Sequence, residues 1–405
     1  MTPSKDREEF WDGDVPWVSP KDMKVSVLHD SIDHVTEQAL AETGLKLHAV
    51  DSVMVVTRGM ILAHTFPVAR NAVPVTINQD MKALRPRAGM DARYLAWMLV
   101  GLESLMLSLT DESAHGTKAL RTDQWENLPI PVPSPAVQTS IADFLDAQTA
   151  RIDLLIAEKE RLLSHLVELH VAALWSLVTK GTNSAVELKT SNSLWLGAVP
   201  RHWSIKKLKW ISPVLRGASP RPIDDAKYFD EDGEYAWVRI ADVSASDGWL
   251  LKTEQRLSEL GASLSVKREP GDLFLSIAGT VGKPCIATIK CCIHDGFVWF
   301  PSLGHGPLRD WLFTIFEAGF AYAGLGKMGT QLNLNTDTVG GIEIPVPPDQ
   351  EMTEILEDVA KSKLANKALQ VHVTKHLERL REYRSSLISA AVTGQLDIGE
   401  FKEAA

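Results

Sequence analysis

The sequence predicts an α/β protein built twice over: two globular α/β domains, each followed by a long helix, with the two helices packed antiparallel between them. Three observations carry this expectation. The chain repeats itself at a fixed offset, apolar residues after each repeat junction recur at helical spacing, and short apolar runs with turn signals fill the stretches before the junctions.

The repeat is clearest at Ile130-Pro131-Val132-Pro133 and Ile344-Pro345-Val346-Pro347, an offset of 214. The same register takes Thr122-Asp123 to Thr336-Asp337 and Val178-Thr179 to Val392-Thr393. Upstream, Val15-Pro16-Trp17-Val18 with Asp22 resembles Tyr235-Ala236-Trp237-Val238 with Asp242 at an offset of 220, a drift of six residues that surface loops absorb. Trp17 and Trp237 are expected to be core anchors of the two copies.

Each junction opens a helix. Ser134 is a candidate N-cap with Pro135 at the first helical position, and Lys180-Gly181 supplies a basic last turn and a glycine for a left-handed stop. Ile152, Leu155, Leu162, Leu166, Leu169, Ala173 and Leu177 follow a spacing of threes and fours, with Lys159 in the one missing place. The second copy offers Leu369, Val373, Leu377, Leu380, Tyr383, Leu387 and Ala391, ending at Thr393-Gly394. At 1.5 Å per residue each helix would be on the order of 65 Å long and would need a partner, most simply the other seam. In the globular stretches, Val53-Met54-Val55-Val56 and Leu273-Phe274-Leu275-Ser276-Ile277 predict buried strands, the latter after a Gly271-Asp272 turn. Residues 94–109 and 308–320 are apolar enough for packed helices.

The net charge of −10 excludes a protein that coats nucleic acid by a basic excess. Residues 1–135 carry 13 basic against 18 acidic side chains, and 195–344 carry 16 against 17. DNA binding would therefore rest on local clusters: Lys82, Arg85, Arg87 and Arg93 in the first half, and Arg201, Lys206, Lys207, Lys209, Arg216 and Arg221 at the start of the second. No stretch approaches the roughly 18 uninterrupted apolar residues of a membrane span, and the first ten residues are too charged for a signal peptide, so no membrane association and a cytoplasmic location are expected. The three cysteines, Cys285, Cys291 and Cys292, fit buried strand thiols better than disulfides or zinc ligands.

Catalytic motifs do not emerge. The chain has no Asn-Pro-Pro-aromatic or Asp-Pro-Pro-aromatic methyltransferase tetrapeptide, and its nearest approach to a phosphate loop, Gly279-Thr280-Val281-Gly282-Lys283-Pro284, has its glycines too close together. Glu187-Leu188-Lys189 has the acid-x-Lys form of half a nuclease site but reads as linker. No histidine pair or nucleophile elbow is present. Neither a catalytic residue nor a metal ligand is expected.

Several features together resemble one family. The tandem unit, the Ile-Pro-Val-Pro junctions, Phe144-Leu145-Asp146 followed by Arg151-Ile152-Asp153-Leu154-Leu155-Ile156, the 387–394 tail, and the lead-in Trp195-Leu196-Gly197-Ala198-Val199-Pro200-Arg201-His202-Trp203 with Lys206-Lys207-Leu208-Lys209 are similar to the specificity subunit of type I restriction-modification enzymes. The resemblance covers nearly the whole chain. It implies target-recognition domains at 1–133 and 182–347, a central spacer helix at 134–181, a distal spacer helix at 348–395 and a tail at 396–405. It also implies a split, asymmetric site on double-stranded DNA, two adenine-N6 methyltransferase subunits docked on the helices, and two motor-nuclease restriction subunits. S-adenosylmethionine, ATP and magnesium would then belong to those partners, with no cofactor on this chain.

Base and phosphate readout call for Arg, Lys, Asn and Gln on loops. The candidates are Lys21, Arg58, Asn78, Gln79, Lys82 and Lys118 in the first domain. In the second they are Arg216, Arg221, Arg239, Lys252, the Gly279 turn with Lys283, Gln331 and Asn333. Two other classes compete with this reading, a duplicated coiled-coil adaptor with no DNA role and a solitary DNA-modifying enzyme with a degenerate centre. One departure from the family pattern stands out: 42 residues separate Trp195 from Trp237, yet only 16 precede Trp17. The expectation is that about 26 residues of lead-in are missing from the first domain, which would be the less stable half, with translation starting upstream of Met1.

Overall fold

The computed structural model describes residues 2–112, 117–322, 325 and 334–399. The chain divides into two compact units, one made of Met1–Arg161 with Thr374–Ala405 and the other of Leu162–Val373. Each unit therefore joins one globular domain to a stretch of both long helices, Pro135–Lys180 and Asp349–Val392.

In the first unit a three-stranded sheet runs in the order Asp33–Val35, Trp11–Val18, Thr76–Ile77. The central strand is antiparallel to the first and parallel to the last. A second sheet runs Val27–Leu28, Val68–Asn71, Val53–Val56, Met81–Leu84. Its central strand, Val53–Val56, is buried along its whole length, as a continuous run of branched apolar residues requires. The helix Ala92–Gly101 covers this sheet, and its Arg93 and Trp97 reach Asp143 and Asp146 of the long helix at 2.8 and 2.7 Å. The apolar run 94–109 is two helices rather than one, broken at Leu102 before Glu103–Ser108.

The second unit repeats this wiring. Its Trp strand, Tyr235–Val238, is antiparallel to Gln255–Leu257 and parallel to Cys291–Ile293. Its second sheet runs Trp249–Leu250, Pro284–Ala287, Leu273–Ser276, Phe297–Trp299, and then adds a fifth strand, Leu215–Arg216. The short helices after the paired strands are capped alike, by Thr36 accepting from the Ala39 N–H and by Ser258 accepting from the Gly261 N–H. Even the helix anchors correspond: the Tyr94 hydroxyl donates to the Pro131 carbonyl, and the Trp311 indole to the Pro345 carbonyl. Trp17 and Trp237 are buried in their cores.

The lead-in residues of the second unit are structured. Glu187-Leu188-Lys189 is not linker: Leu188–Thr190 pairs antiparallel with Ala198–Pro200 around a turn in which Gly197 takes a φ of +61°. Ser204–Lys207 then pairs with Glu343–Val346, placing Trp203 edge-on to Trp311 at 5.8 Å. The Trp175 indole donates to the Trp195 carbonyl and ties this segment to the long helix.

The helices stop where Gly181 and Gly394 adopt φ of +71° and +75°. In the first unit they run antiparallel, joined by ion pairs from Arg384 to Asp153 and from Arg381 to Glu160, both at 2.7 Å. The expected seam is continuous only in part. Ile152, Val373, Leu377, Leu387 and Ala391 are buried, but Leu169 is 66% exposed, Leu369 53% and Tyr383 48%. A two-helix ribbon covers its apolar residues from one side only, whereas the helix ends bury theirs against a domain: Ile141, Phe144 and Leu145 in the first unit, and Leu174, Val178, Ile355 and Val359 in the second. By length and composition Pro135–Lys180 could cross a membrane, but its two ends pack into these cores and its flank carries the ion pairs just described.

Candidate nucleic-acid interface

Basic side chains gather at three places. In the second unit, the turn at 294–296 meets the added strand Leu215–Arg216. Arg216 Nε donates to the Asp295 carbonyl at 2.6 Å, while the Asp295 carboxylate accepts from the Ser219 hydroxyl and from Arg221, both at 3.0 Å. Burial opposes ionisation of Asp295, but the Ser219 hydroxyl and the Arg221 charge outweigh it and hold the carboxyl below the usual aspartate range. Arg221 remains 71% exposed, so its guanidinium can exchange this carboxylate for a phosphate or a base edge. The backbone is tightly packed here. A β-carbon on Gly217 would lie 2.2 Å from the His294 carbonyl, and Gly296 donates its N–H to His294 Nδ1 at 2.8 Å. Sequence reasoning named the two arginines and missed Asp295 and Ser219, whose role depends on a strand crossing that no local pattern announces.

The second place surrounds the helix Ile240–Ala245. Arg239 donates its backbone N–H to Asp242 at 2.8 Å and its guanidinium to Gln255, and Glu254 lies 3.7 Å from it. Lys252 is exposed in the loop before Gln255. The Gly279 turn is fixed by Ser276 and Thr280, with Gly279 at φ +65° against Ile240. Lys283 is committed to the fold, since its ammonium donates to the Ser244 and Ser246 carbonyls at 2.8 Å each and closes the C-terminal end of the helix. Gln331 and Asn333 lie outside the described residues.

In the first unit, Arg58 and Lys118 sit on adjacent strands of a small antiparallel ribbon, Arg58–Gly59, Lys118–Leu120, Thr110–Glu112. Arg121 follows, 3.4 Å from Asp111. Lys21 is exposed after the Trp strand, in a turn closed by Asp22, whose carboxylate accepts from the Ser19 and Ile32 N–H groups at 2.8 Å each. Val18 and Ile77 pair in parallel and the Asn78 N–H donates to the Val18 carbonyl at 3.0 Å, so the Lys21 turn and Asn78 leave the same end of neighbouring strands, while Asn78, Gln79 and Lys82 line a groove that Lys21 does not. There Asn78 is buried and its side-chain oxygen accepts from the Asp80 N–H, Gln79 accepts from the Thr2 hydroxyl, and Lys82 pairs with Glu126 at 2.8 Å beside Trp125.

Among the described residues, no group of three His, Cys, Asp or Glu could hold a metal ion. Burial pushes the Cys285 and Cys292 thiols up to about 11 and that of Cys291 higher still, so none is a thiolate at neutral pH. The arrangement can position basic groups on DNA; no assembled nucleophile, base or metal cluster emerges among the described residues.

Known proteins agree with this geometry. Residues 1–164 match the type I restriction modification DNA specificity domain. The chain is 35% identical over 146 residues to the EcoR124I/EcoR124II specificity subunit of Escherichia coli, covering 36% of each protein. It is 26% identical over 245 residues to the MjaIX specificity subunit of Methanocaldococcus jannaschii, covering 59% of this chain and 54% of that protein. The matched stretches thus span about a third to a half of these relatives. A chain from a structure concerned with complex assembly and conformational transition of the type I R-M system shares the fold, with a TM-score of 0.72 at 16% identity over 96% of this chain and 92% of that one. The HsdS subunit from Thermoanaerobacter tengcongensis overlays with a TM-score of 0.50, also at 16% identity, over 96% and 91%. Residues 1–164 thus match a type I restriction modification DNA specificity domain, and over nearly its whole length the chain shares the fold of solved chains from type I R-M systems.

Proposed function

We propose that this chain is the DNA-reading subunit of a type I restriction-modification complex, in which each globular domain reads one half of a bipartite, asymmetric site on double-stranded DNA. The observation that carries the reading is the duplication: the same two-sheet wiring in both units, with basic groups presented on unlike loops. Repeated scaffolds with different readers suit a site whose halves differ in sequence.

The long helices act as spacer and as docking surface for two adenine-N6 methyltransferase subunits. Two motor-nuclease subunits join in the full enzyme, and the assembly works in the cytoplasm. The partners bring S-adenosylmethionine, ATP and magnesium, while this chain binds and orients DNA and does no chemistry. Partner subunits also supply phosphate contacts, which accounts for a reader with a net charge of −10. Neither an adaptor without a DNA role nor a solitary modifying enzyme has an observation in its favour.

Co-expression with the cognate adenine methyltransferase, followed by long-read sequencing of host DNA, tests this. Methylation at one split motif is expected, with none from the chain alone. Methylation scattered without a split motif, or activity from the chain alone, contradicts it.

A further inference from the structure

The turn after the buried strand of each unit has one backbone and two sets of side chains. Val53-Met54-Val55-Val56-Thr57-Arg58-Gly59-Met60 aligns with Leu273-Phe274-Leu275-Ser276-Ile277-Ala278-Gly279-Thr280 at an offset of 220, the one that relates Trp17 to Trp237. Both glycines take a positive φ, 145° and 65°. The two turns are held at the same backbone atoms. The Thr57 N–H donates to the Asp80 carbonyl and the Ile277 N–H to the Gly296 carbonyl, each at 2.8 Å. The Thr57 carbonyl accepts from the Leu120 N–H at 2.8 Å, and the Ile277 carbonyl from the Leu334 N–H at 3.2 Å. Asp80 and Gly296 belong to the turns that follow the strand parallel to each Trp strand. In the second unit that turn carries Asp295 with Arg216 and Arg221. On this shared backbone the side chains differ. Met60 is 73% exposed, with Arg58 exposed two residues before it and Lys118 opposite Gly59 on the neighbouring strand. Thr280 is exposed as well, and its hydroxyl meets that of Ser244 at 2.7 Å. The position is therefore open in both units, including the one whose lead-in strands are in place. A methionine so placed adds little to a core and holds an unbranched, polarizable apolar group out in solvent.

Taking each domain to read its own half-site, as above, we propose that position 60 and its counterpart 280 determine specificity at matching points of the two half-sites. Met60 packs on the C5 methyl of a thymine in the major groove, while the Thr280 and Ser244 hydroxyls bond a base edge there. The thymine methyl is the apolar feature of the base edges in that groove, and Arg58 and Lys118 supply the phosphate contacts that seat a methionine on it. Two hydroxyls bonded to each other still keep one donor and spare lone pairs for a base. A wedge that unstacks bases suits methionine but not threonine. Because one scaffold presents both positions to DNA in the same way, base-edge contact is the use open to both.

The test uses the chain assembled with its cognate methyltransferase, and duplexes carrying the split motif found by methylation sequencing. Each thymine of the first half-site, on either strand, is replaced in turn by deoxyuridine, which removes only the methyl. One replacement should weaken binding by about 3- to 5-fold, the effect of one buried methyl. Met60→Ala should weaken binding to the thymine duplex by a similar factor and bind the deoxyuridine duplex equally well, so that the two losses do not add. Its methylated motif should admit other bases at that position, with the second half-site unchanged and the urea midpoint of the first unit unmoved. A Met60→Ala complex that responds to deoxyuridine as the unaltered one does overturns the proposal. So does an unchanged first half-site, or a loss of binding that comes with a lowered midpoint; each of these leaves the split motif standing. Absence of any split motif overturns the reading of half-sites as well.

Discussion

Arg221 leaves its Asp295 partner if it touches DNA, and the two kinds of contact differ in their signature. If the guanidinium meets phosphate, Arg221→Ala in the assembled complex should weaken binding evenly across sequences and lower the salt slope of log K by about 0.9. A base contact would instead relax the motif at one position. An unchanged affinity and motif would remove Arg221 from the interface. His294 beside it makes a pH prediction. Burial lowers its pKa, and its Nδ1 accepts a backbone N–H, which requires the neutral ring. The unfolded chain takes up a proton near pH 6.5 that the folded domain resists, so this contribution is intact above about pH 6.5 and is lost as pH falls through the lowered folded value. The urea midpoint of the second unit should drop on acidification below about pH 6.5, and less so in His294→Asn; equal slopes would show that His294 does not govern it. Gly217→Ala should cost at least 1–3 kcal/mol, because the new methyl meets a backbone carbonyl that cannot yield. Much of this was hidden in the sequence. Arg216 and Arg221 could be named from charge type alone, whereas Asp295 and Ser219 join them only through pairing of strands about 80 residues apart. Likewise Asn78 and Lys283 have the side chains of readers, but in the fold Asn78 bonds within its own turn and Lys283 reaches the Ser244 and Ser246 carbonyls at the end of a helix distant in sequence.

At the scale of elements, the helix ends were legible because their signals are local: Pro135 at the first turn, and Gly181 and Gly394 at positive φ. The seam was legible only in part, since a stripe at helical spacing does not say how much of it a single partner helix covers. The buried strands followed from unbroken apolar runs. The lead-in pairing of Leu188–Thr190 did not, because its strands are three residues long with mixed exposure. Packing supplies the next prediction. A β-carbon on Gly101 would sit 2.6 Å from Val392 Cγ2 and 3.3 Å from the Ser389 Cα, where the end of one helix lies on another. Gly101→Leu should lower the stability of the first unit by roughly 1–3 kcal/mol in denaturant titration, with the second unit's transition unmoved. A shift of both transitions, or of neither, would contradict the contact. The spacer role gives another test. Removing 159–165 and 373–379 together takes about 10 Å of helix from each, or about 3 base pairs, so both half-sites should persist around a shorter gap. A fixed gap would mean that the helices do not set it.

For the whole molecule, the account rests on modularity: one scaffold used twice, each copy carrying its own reading surface. The repeat in sequence reappears as matched sheet wiring, matched caps and matched anchors from Tyr94 and Trp311 to the junction carbonyls. If each copy reads independently, a chain in which the second unit's domain replaces the first should specify a palindromic motif, with the second half-site present twice in inverted orientation. Co-expressed with the cognate methyltransferase, it can be read out by sequencing methylated adenines across a genome. The account predicts that inverted repeat, with the original first half-site absent. Retention of the original asymmetric motif, or methylation that follows neither half-site, would contradict the claim that each domain reads its own half.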